Sequence, residues 1–167
     1  MKIRFASLAV ALIALSFASV VYAAGPAQDA DQAFVNQAAQ NIMYEVEASK
    51  LAQQNATAPD VADLAVMEAH DDTLIGNGLK NTSAPEKITV PTTLDATLKQ
   101  RLQQLQSKSG AEFEAAYISD MEQMEGTLQT LLAKEAANGS DNFQTFARQA
   151  DLIVKRHLGA LHALDAS

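Results

Sequence analysis

GAEFEAAYISDMEQMEGTLQTLLAKEAA, residues 110–137, decides the fold. It holds no proline, one internal glycine, and almost only residues that lose little on entering a helix. Phe113, Tyr117, Met121, Met124, Leu128 and Leu131 recur every three or four positions, which draws one apolar stripe along a helix. Ser109 before it and Glu112 inside it have the spacing of a capping box. Asn138-Gly139 marks its end. Such a helix is twice as long as an average one and needs partners of similar length to cover the stripe.

Three other segments supply them. Residues 31–54 carry Phe34, Val35, Ala38, Ile42, Val46, Leu51 and Ala52 on one face. Residues 58–80 carry Val61, Leu64, Ala65, Ile75 and Leu79, with Thr57 as the expected cap and Pro59 in the first turn. Residues 141–164 follow Ser140 and carry Phe143, Phe146, Ala147, Ala150, Val154, Leu158 and Leu161. Gly76-Asn77-Gly78 is expected to loosen the second helix near its end, because no strand precedes it to make a phosphate loop. Residues 81–91 hold two prolines and read as a loop, and 94–105 read as a shorter amphipathic helix. The expected class is all-α: a ferritin-like antiparallel four-helix bundle with an extra short helix in the connection between the second and third long helices.

The N-terminus reads as an address. Lys2 and Arg4 precede an uncharged run over 5–21 that ends in Val21-Tyr22-Ala23, the layout of a cleavable signal peptide over 1–23. The mature chain, 24–167, is then one domain that is periplasmic or secreted, with no direct membrane insertion after cleavage. Without cysteine after the run, a lipid anchor on a processed cysteine is not expected. Loss of Lys2 and Arg4 takes the net charge from −8 to −10, which argues against nucleic acid and anionic membrane surfaces as partners. The absence of cysteine and tryptophan removes thiolate chemistry, iron–sulfur clusters and most stacking sites.

Each long helix brings ionisable residues into or beside its apolar stripe: Glu45 on the first, Glu68 and Asp72 on the second, Asp120 and Glu125 on the third, His157 on the fourth. Glu47, His70 and His162 point elsewhere. Glu45 and Glu68 are each about 11 residues from the loop near Ala56. Asp120 and His157 are each about 18–19 from the loop near Gly139. At ~1.5 Å per residue, hairpins bring all of these toward mid-bundle. Several carboxylates buried together are costly unless a cation compensates them. The set therefore reads as a metal site for iron or manganese, with zinc a poorer fit, whose residues act as ligands or orient them. The bland reading is that several of these acids are solvated flank residues. Glu-x-x-His is absent, since Val154 stands three before His157, and Ser and His spacing offers no triad. An enzyme is thus the weaker expectation. Met121 and Met124 read as core. The alternative is an envelope protein–protein interaction or stress-related bundle with no metal site.

The order of these segments resembles the exported bacterial domain of unknown function 4142 family, often labelled outer membrane proteins and expected to be ferritin-like. Phe34-Val35, Glu45-Val46 and Leu51-Ala52, then residues 61–79, GAEFEAAY at 110–117, Phe146-Ala147 and His157-Leu158 carry the likeness, with Pro91 at a usual proline position. It spans about 33–164. The resemblance places a family Glu at Glu45 and the family's last His at His157. Where the family commonly has Asp-His-Thr, this chain has Asp71-Asp72-Thr73, and a family His falls at Glu125. Two imidazoles are thus exchanged for carboxylates, which implies a harder, more anionic site. The resemblance implies a fold and no activity.

Overall fold

The computed structural model describes residues 26–165. The expected signal peptide lies outside the described residues. Five helices follow in order: α1 (Pro26–Asn55), α2 (Pro59–Ser83), α3 (Ala96–Gln106), α4 (Gly110–Asn138) and α5 (Asp141–Asp165). No strand occurs among the described residues. Helix α1 packs on α2 and α4, and α5 on α2 and α4, so the four long helices close a ring around one interior. Helix α3 lies outside the ring against α1 and α4.

The helix starts are capped differently from expectation. Ala58, not Thr57, occupies the N-cap of α2 and gives no side-chain bond. Glu114 of α4 substitutes for a local cap: its Oε1 accepts from Ala58 N at 2.8 Å and from the Thr57 hydroxyl at 2.8 Å. One long-range carboxylate thereby satisfies orphan donors and ties the α1–α2 turn to α4. Ser109 sits at the α4 N-cap without a side-chain bond, and Glu112 pairs with Lys108 instead of closing a box. The Ser140 hydroxyl before α5 has no partner among the described residues. Asp95, ahead of α3, caps in the ordinary way, accepting from Leu98 N at 2.8 Å.

Helix α2 continues unbroken through Gly76-Asn77-Gly78 to Ser83, contrary to the expected loosening. The glycines serve packing. A Cβ at Gly76 would stand 3.3 Å from Ile42 Cγ2, and one at Gly78 would stand 3.2 Å from the Phe146 ring. Helix α2 can therefore approach α1 and α5 closely at these two points.

The connection from α2 to α3 runs along α1, held by glutamine side chains. Gln32 donates to Thr89 O at 2.8 Å and accepts from Thr89 N at 3.0 Å. Two turns on, Gln40 donates to Thr93 O at 3.0 Å and accepts from Asp95 N at 2.8 Å. Each amide imitates a strand partner, so extended backbone is satisfied without a sheet.

The core is in two parts. Phe34, Ile42, Ile75, Leu79, Leu128, Leu132, Phe143 and Phe146 belong to one. Tyr44, Ala48, Leu64, Phe113, Tyr117, Met121, Met124 and Leu161 belong to the other, so both methionines are core residues. Large side chains of this kind contribute about 1.5–3 kcal/mol each on full burial. Between the parts lies a level that is not apolar at all.

Candidate metal centre

That level is occupied by Glu45, Glu68, Asp72, Glu125 and His157, all fully buried. The chain order explains why they meet. On α2, Glu68 and Asp72 fall between Ala65 and Ile75. On α4, Glu125 falls between Met124 and Leu128. On α5, His157 falls between Val154 and Leu161. On α2, α4 and α5 the change from one core part to the other falls at the acid or imidazole, and on α1 it falls just before Glu45, between Ile42 and Tyr44.

Glu68, Asp72, Glu125 and His157 each offer a ligand atom, and these atoms all lie within 4.8 Å of one another. Four donors held tetrahedrally at about 2.0–2.2 Å from a cation stand roughly 3.3–3.6 Å apart, so the side chains would have to draw inward to close on an ion. Glu45 stands beside it, close enough for the charges of Glu125, Asp72 and Glu68 to act on its carboxyl.

Both oxygens of Glu45, Glu68 and Asp72, and Oε2 of Glu125, have no hydrogen-bond partner among the described residues, seven oxygens in all. Burial, then mutual repulsion, raises these acids. Glu68 is pushed up to about 8, by burial first and then by Glu125. Glu125 is pushed up to about 8 by burial. Asp72 and Glu45 are both raised well above the usual carboxylate range for the same reasons.

His157 joins this layer to a second acid. Its Nδ1 faces Glu125 Oε1 at 2.6 Å and Asp72 Oδ1 at 3.9 Å, whereas Nε2 faces Asp71 Oδ2 at 3.2 Å. Burial opposes ionisation of Asp71, but hydrogen bonds from His70 and His157 and the Arg156 guanidinium hold it below its ordinary value. An ionised Asp71 can only accept, so a neutral imidazole here would carry its hydrogen on Nε2 and turn the Nδ1 lone pair toward the cluster. Glu125, protonated at neutral pH, can donate to that lone pair; an ion can take it instead. Carboxylates behind ligating imidazoles orient them in this way.

Asp120 corrects an expectation. It does not stand beside His157, and Glu125 does. Asp120 is partly exposed and engaged by Arg101, whose Nη2 reaches Oδ1 at 2.6 Å and whose Nε reaches it at 3.0 Å. Its other oxygen accepts from the Tyr44 hydroxyl. The cause is Arg101 of α3, a helix outside the ring of four, which meets Asp120 at the flank of α4; a separate drift of the buried face, to Leu132 and Glu135 where a strict repeat expects Leu131, begins only after Leu128. Tyr44 and Asp71 were not singled out as site residues from sequence. Asp71 had a signal: it lies three positions from Glu68, and Arg156 adjoins His157. Glu47 and His70 face outward as expected, Glu47 paired with Lys50 and the His70 side chain 70% exposed.

No curated protein and no solved structure matches the chain. A family model does match, over residues 17–164, and its description is a domain of unknown function. Asp72 and Glu125, where the resemblance implies imidazoles in relatives, are two of the four residues whose ligand atoms converge. By that match, which covers most of its length, the chain belongs to the DUF4142 family.

Proposed function

We propose that the protein is an exported, ferritin-like antiparallel bundle of the cell envelope that holds an iron or manganese ion in its central layer. Glu68, Asp72, Glu125 and His157 are the ligands, and Glu45 supplies further negative charge or a fifth donor. Asp71 orients His157. The observation that carries the reading is the set of seven unpartnered carboxylate oxygens, fully buried at one height. A buried layer of unpaired acids is destabilising by itself, and a cation converts the penalty into binding energy. Oxygen-rich donors with one imidazole favour iron or manganese over zinc. The antiparallel arrangement is supported by pairs such as Gln53 with Ala65 and Ile42 with Gly76, and Arg148 with Ala136 and His157 with Glu125. The role we read is binding or slow redox buffering.

Elemental analysis of protein purified from the periplasm without chelator is the direct test. One ion per chain is expected. Chelator-treated protein should gain roughly 5–10 °C in Tm with Fe(II) or Mn(II) at 100-fold excess over Kd. No bound ion and no shift with either would remove the reading. Val66, Leu74 and Leu152, exposed large hydrophobics on α2 and α5, favour the second reading, a surface for an envelope protein partner. That reading predicts loss of partner capture on replacing Leu74 and Leu152 with Ser, with no dependence on metal.

A further inference from the structure

The strap of chain between α2 and α3 is bonded to the bundle along one edge. Thr89 N and O, Thr93 O and Asp95 N all meet Gln32 or Gln40 of α1. These are odd positions, and an extended chain turns the N–H and C=O groups of successive residues to opposite edges. Pro91, the odd position between the two clamps, has no N–H to leave unpaired. The even positions are different. The N–H and C=O groups of Val90 and Thr92 make no hydrogen bond among the described residues. Thr92 is exposed and Val90 half-buried, and the backbone bends at Thr93, which ends the edge. The strap is thus a short strand with one edge filled and the other free to pair.

Beside it lies open space. A cleft of about 420 Å³ is bounded by the strap, α1 and α2. Half-buried Met43 and Val46 of α1 give it an apolar floor, while Thr73, Asn77 and Lys80 of α2 line it as exposed polar groups. The Asn77 amide makes no hydrogen bond among the described residues, and the Thr73 hydroxyl, which donates to Ala69 O, can still accept.

This mixture fits a polypeptide backbone better than a compact ligand. A purely apolar body would leave the α2 side unserved, and an ion would leave the floor unserved. An extended peptide answers every side. One of its edges can pair with Val90 and Thr92. The other can meet Asn77 and Thr73, as the inner edge of the strap meets Gln32 and Gln40. Its side chains would alternate between the floor and water. Charge decides whose peptide it is. The chain has a net charge of −8, or −10 without Lys2 and Arg4. A second copy is therefore repelled, whereas a basic segment is drawn in. We infer that the cleft takes an extended segment of another protein, with apolar and basic residues alternating, as a strand added to the Val90–Thr92 edge. The inference does not depend on an ion in the central layer.

Titration of acetyl-(Lys-Val)3-amide into protein purified from the periplasm, followed by backbone amide NMR and hydrogen exchange, tests it. Saturable binding is expected with a Kd of about 1 mM or tighter. Exchange at the Val90 and Thr92 amides should slow by roughly tenfold at saturation. N-methylating the peptide at its lysine amides, or at its valine amides, blocks opposite edges. One of these two peptides should bind about tenfold more weakly than the other, because only one blocks the pairing edge. Acetyl-(Glu-Val)3-amide should bind about tenfold more weakly than the lysine peptide. Thr92→Pro removes an N–H that holds nothing in the free protein, so it should leave Tm unchanged and weaken binding about tenfold. Absence of saturable binding overturns the proposal. So do N-methylated peptides that both bind as well as the parent, or slowed exchange that spares Val90 and Thr92. Slowed exchange at these two amides as the protein alone is concentrated, with a dimer in sedimentation, would also overturn it and give the edge to a second copy.

Discussion

Asp120 and Glu125 are five residues apart on α4, and the fold has met their charges in opposite ways. Asp120 has Arg101 in a two-donor contact and a tyrosine hydroxyl, with a partly exposed side chain. Arg101 also lies over the Tyr44 ring, 5.3 Å from its centroid. Glu125 is fully buried among three other acids, with one imidazole for company and one oxygen unpartnered. The first group closes its own account: complementary charge, filled hydrogen bonds and no reason for a ligand. The second is left open in all the same respects. A buried acid suggests a site only when its neighbours fail to satisfy it, and that distinction separates these two.

The largest effect should come from pH and metal together. Glu68 and Glu125 are held at about 8 in the folded chain, against an ordinary value of 4.5. A raised acid means that the folded state binds more protons than the unfolded state, so stability falls as pH rises. The fall begins near the ordinary value and is complete once pH passes the folded value, a window of about pH 4.5 to 8. Metal-free protein should therefore lose on the order of 10 °C in Tm between pH 5.5 and 8.5. Saturating Mn(II) should flatten or reverse that slope, since binding displaces the protons. An unchanged slope with metal would mean that the ion sits elsewhere.

Removing one acid should sharpen the contrast. Glu45→Met replaces an unsatisfied buried carboxyl with an apolar side chain of similar length. In metal-free protein at pH 8 it should stabilise by about 1–4 kcal/mol in urea denaturation. Ion affinity should fall about tenfold if Glu45 helps to hold the cation. A destabilised variant would show that Glu45 is satisfied by something other than metal.

The same operation on the closed site should have the opposite sign and no reach. Arg101→Ala leaves Asp120 and the Tyr44 hydroxyl without their cation, and should cost about 1–2 kcal/mol at neutral pH. Asp120 is partly exposed, so water recovers some of the loss. Ion affinity should stay within about twofold of the parent, because this pair adjoins the layer without entering it. A tenfold change would join the two sites into one.

How much of this was legible depended on how many elements a residue's fate involved. The helices were, because periodicity is a property of one segment: the stripe from Phe113 to Leu128 is where the wheel put it. The heights of Glu68, Asp72 and His157 were too, because rise per residue and short loops carry a level from one helix to the next. Asp120 was misplaced for a specific reason. Its partner Arg101 comes from α3, which lies outside the ring of four and has no position on a four-helix wheel. Thr57 and Ser109 failed as caps because the competing acceptor Glu114 and donor Lys108 are not part of a local capping pattern. The glycines of α2 were misread because a helix breaker and a close-packing residue are the same letter. Only the distance from Gly78 to Phe146 tells them apart.

A third acidic place tests the distinction at its smallest scale. Asp31 on α1 and Glu135 on α4 are both buried near the α4–α5 turn. Asp31 accepts from Ser140 N at 3.1 Å, while Glu135 Oε1 has no partner. Glu135 is raised to about 8, by burial first and then by the hydrogen bond and charge of Asp31, with Lys134 opposing. One proton shared by two carboxyls accounts for this pattern without any metal. Glu135→Gln supplies the same donor permanently. It should leave stability within about 0.5 kcal/mol at pH 6 and raise it by roughly 1 kcal/mol at pH 9, where the parent has lost the shared proton. Urea midpoints at the two pH values measure both. Equal losses at pH 6 and pH 9 would mean that Glu135 is held by shape and not by the proton. In that case Gly139, where a Cβ would stand 2.7 Å from Glu135 Oε1, is the contact to examine, because only a glycine there leaves room for the carboxyl.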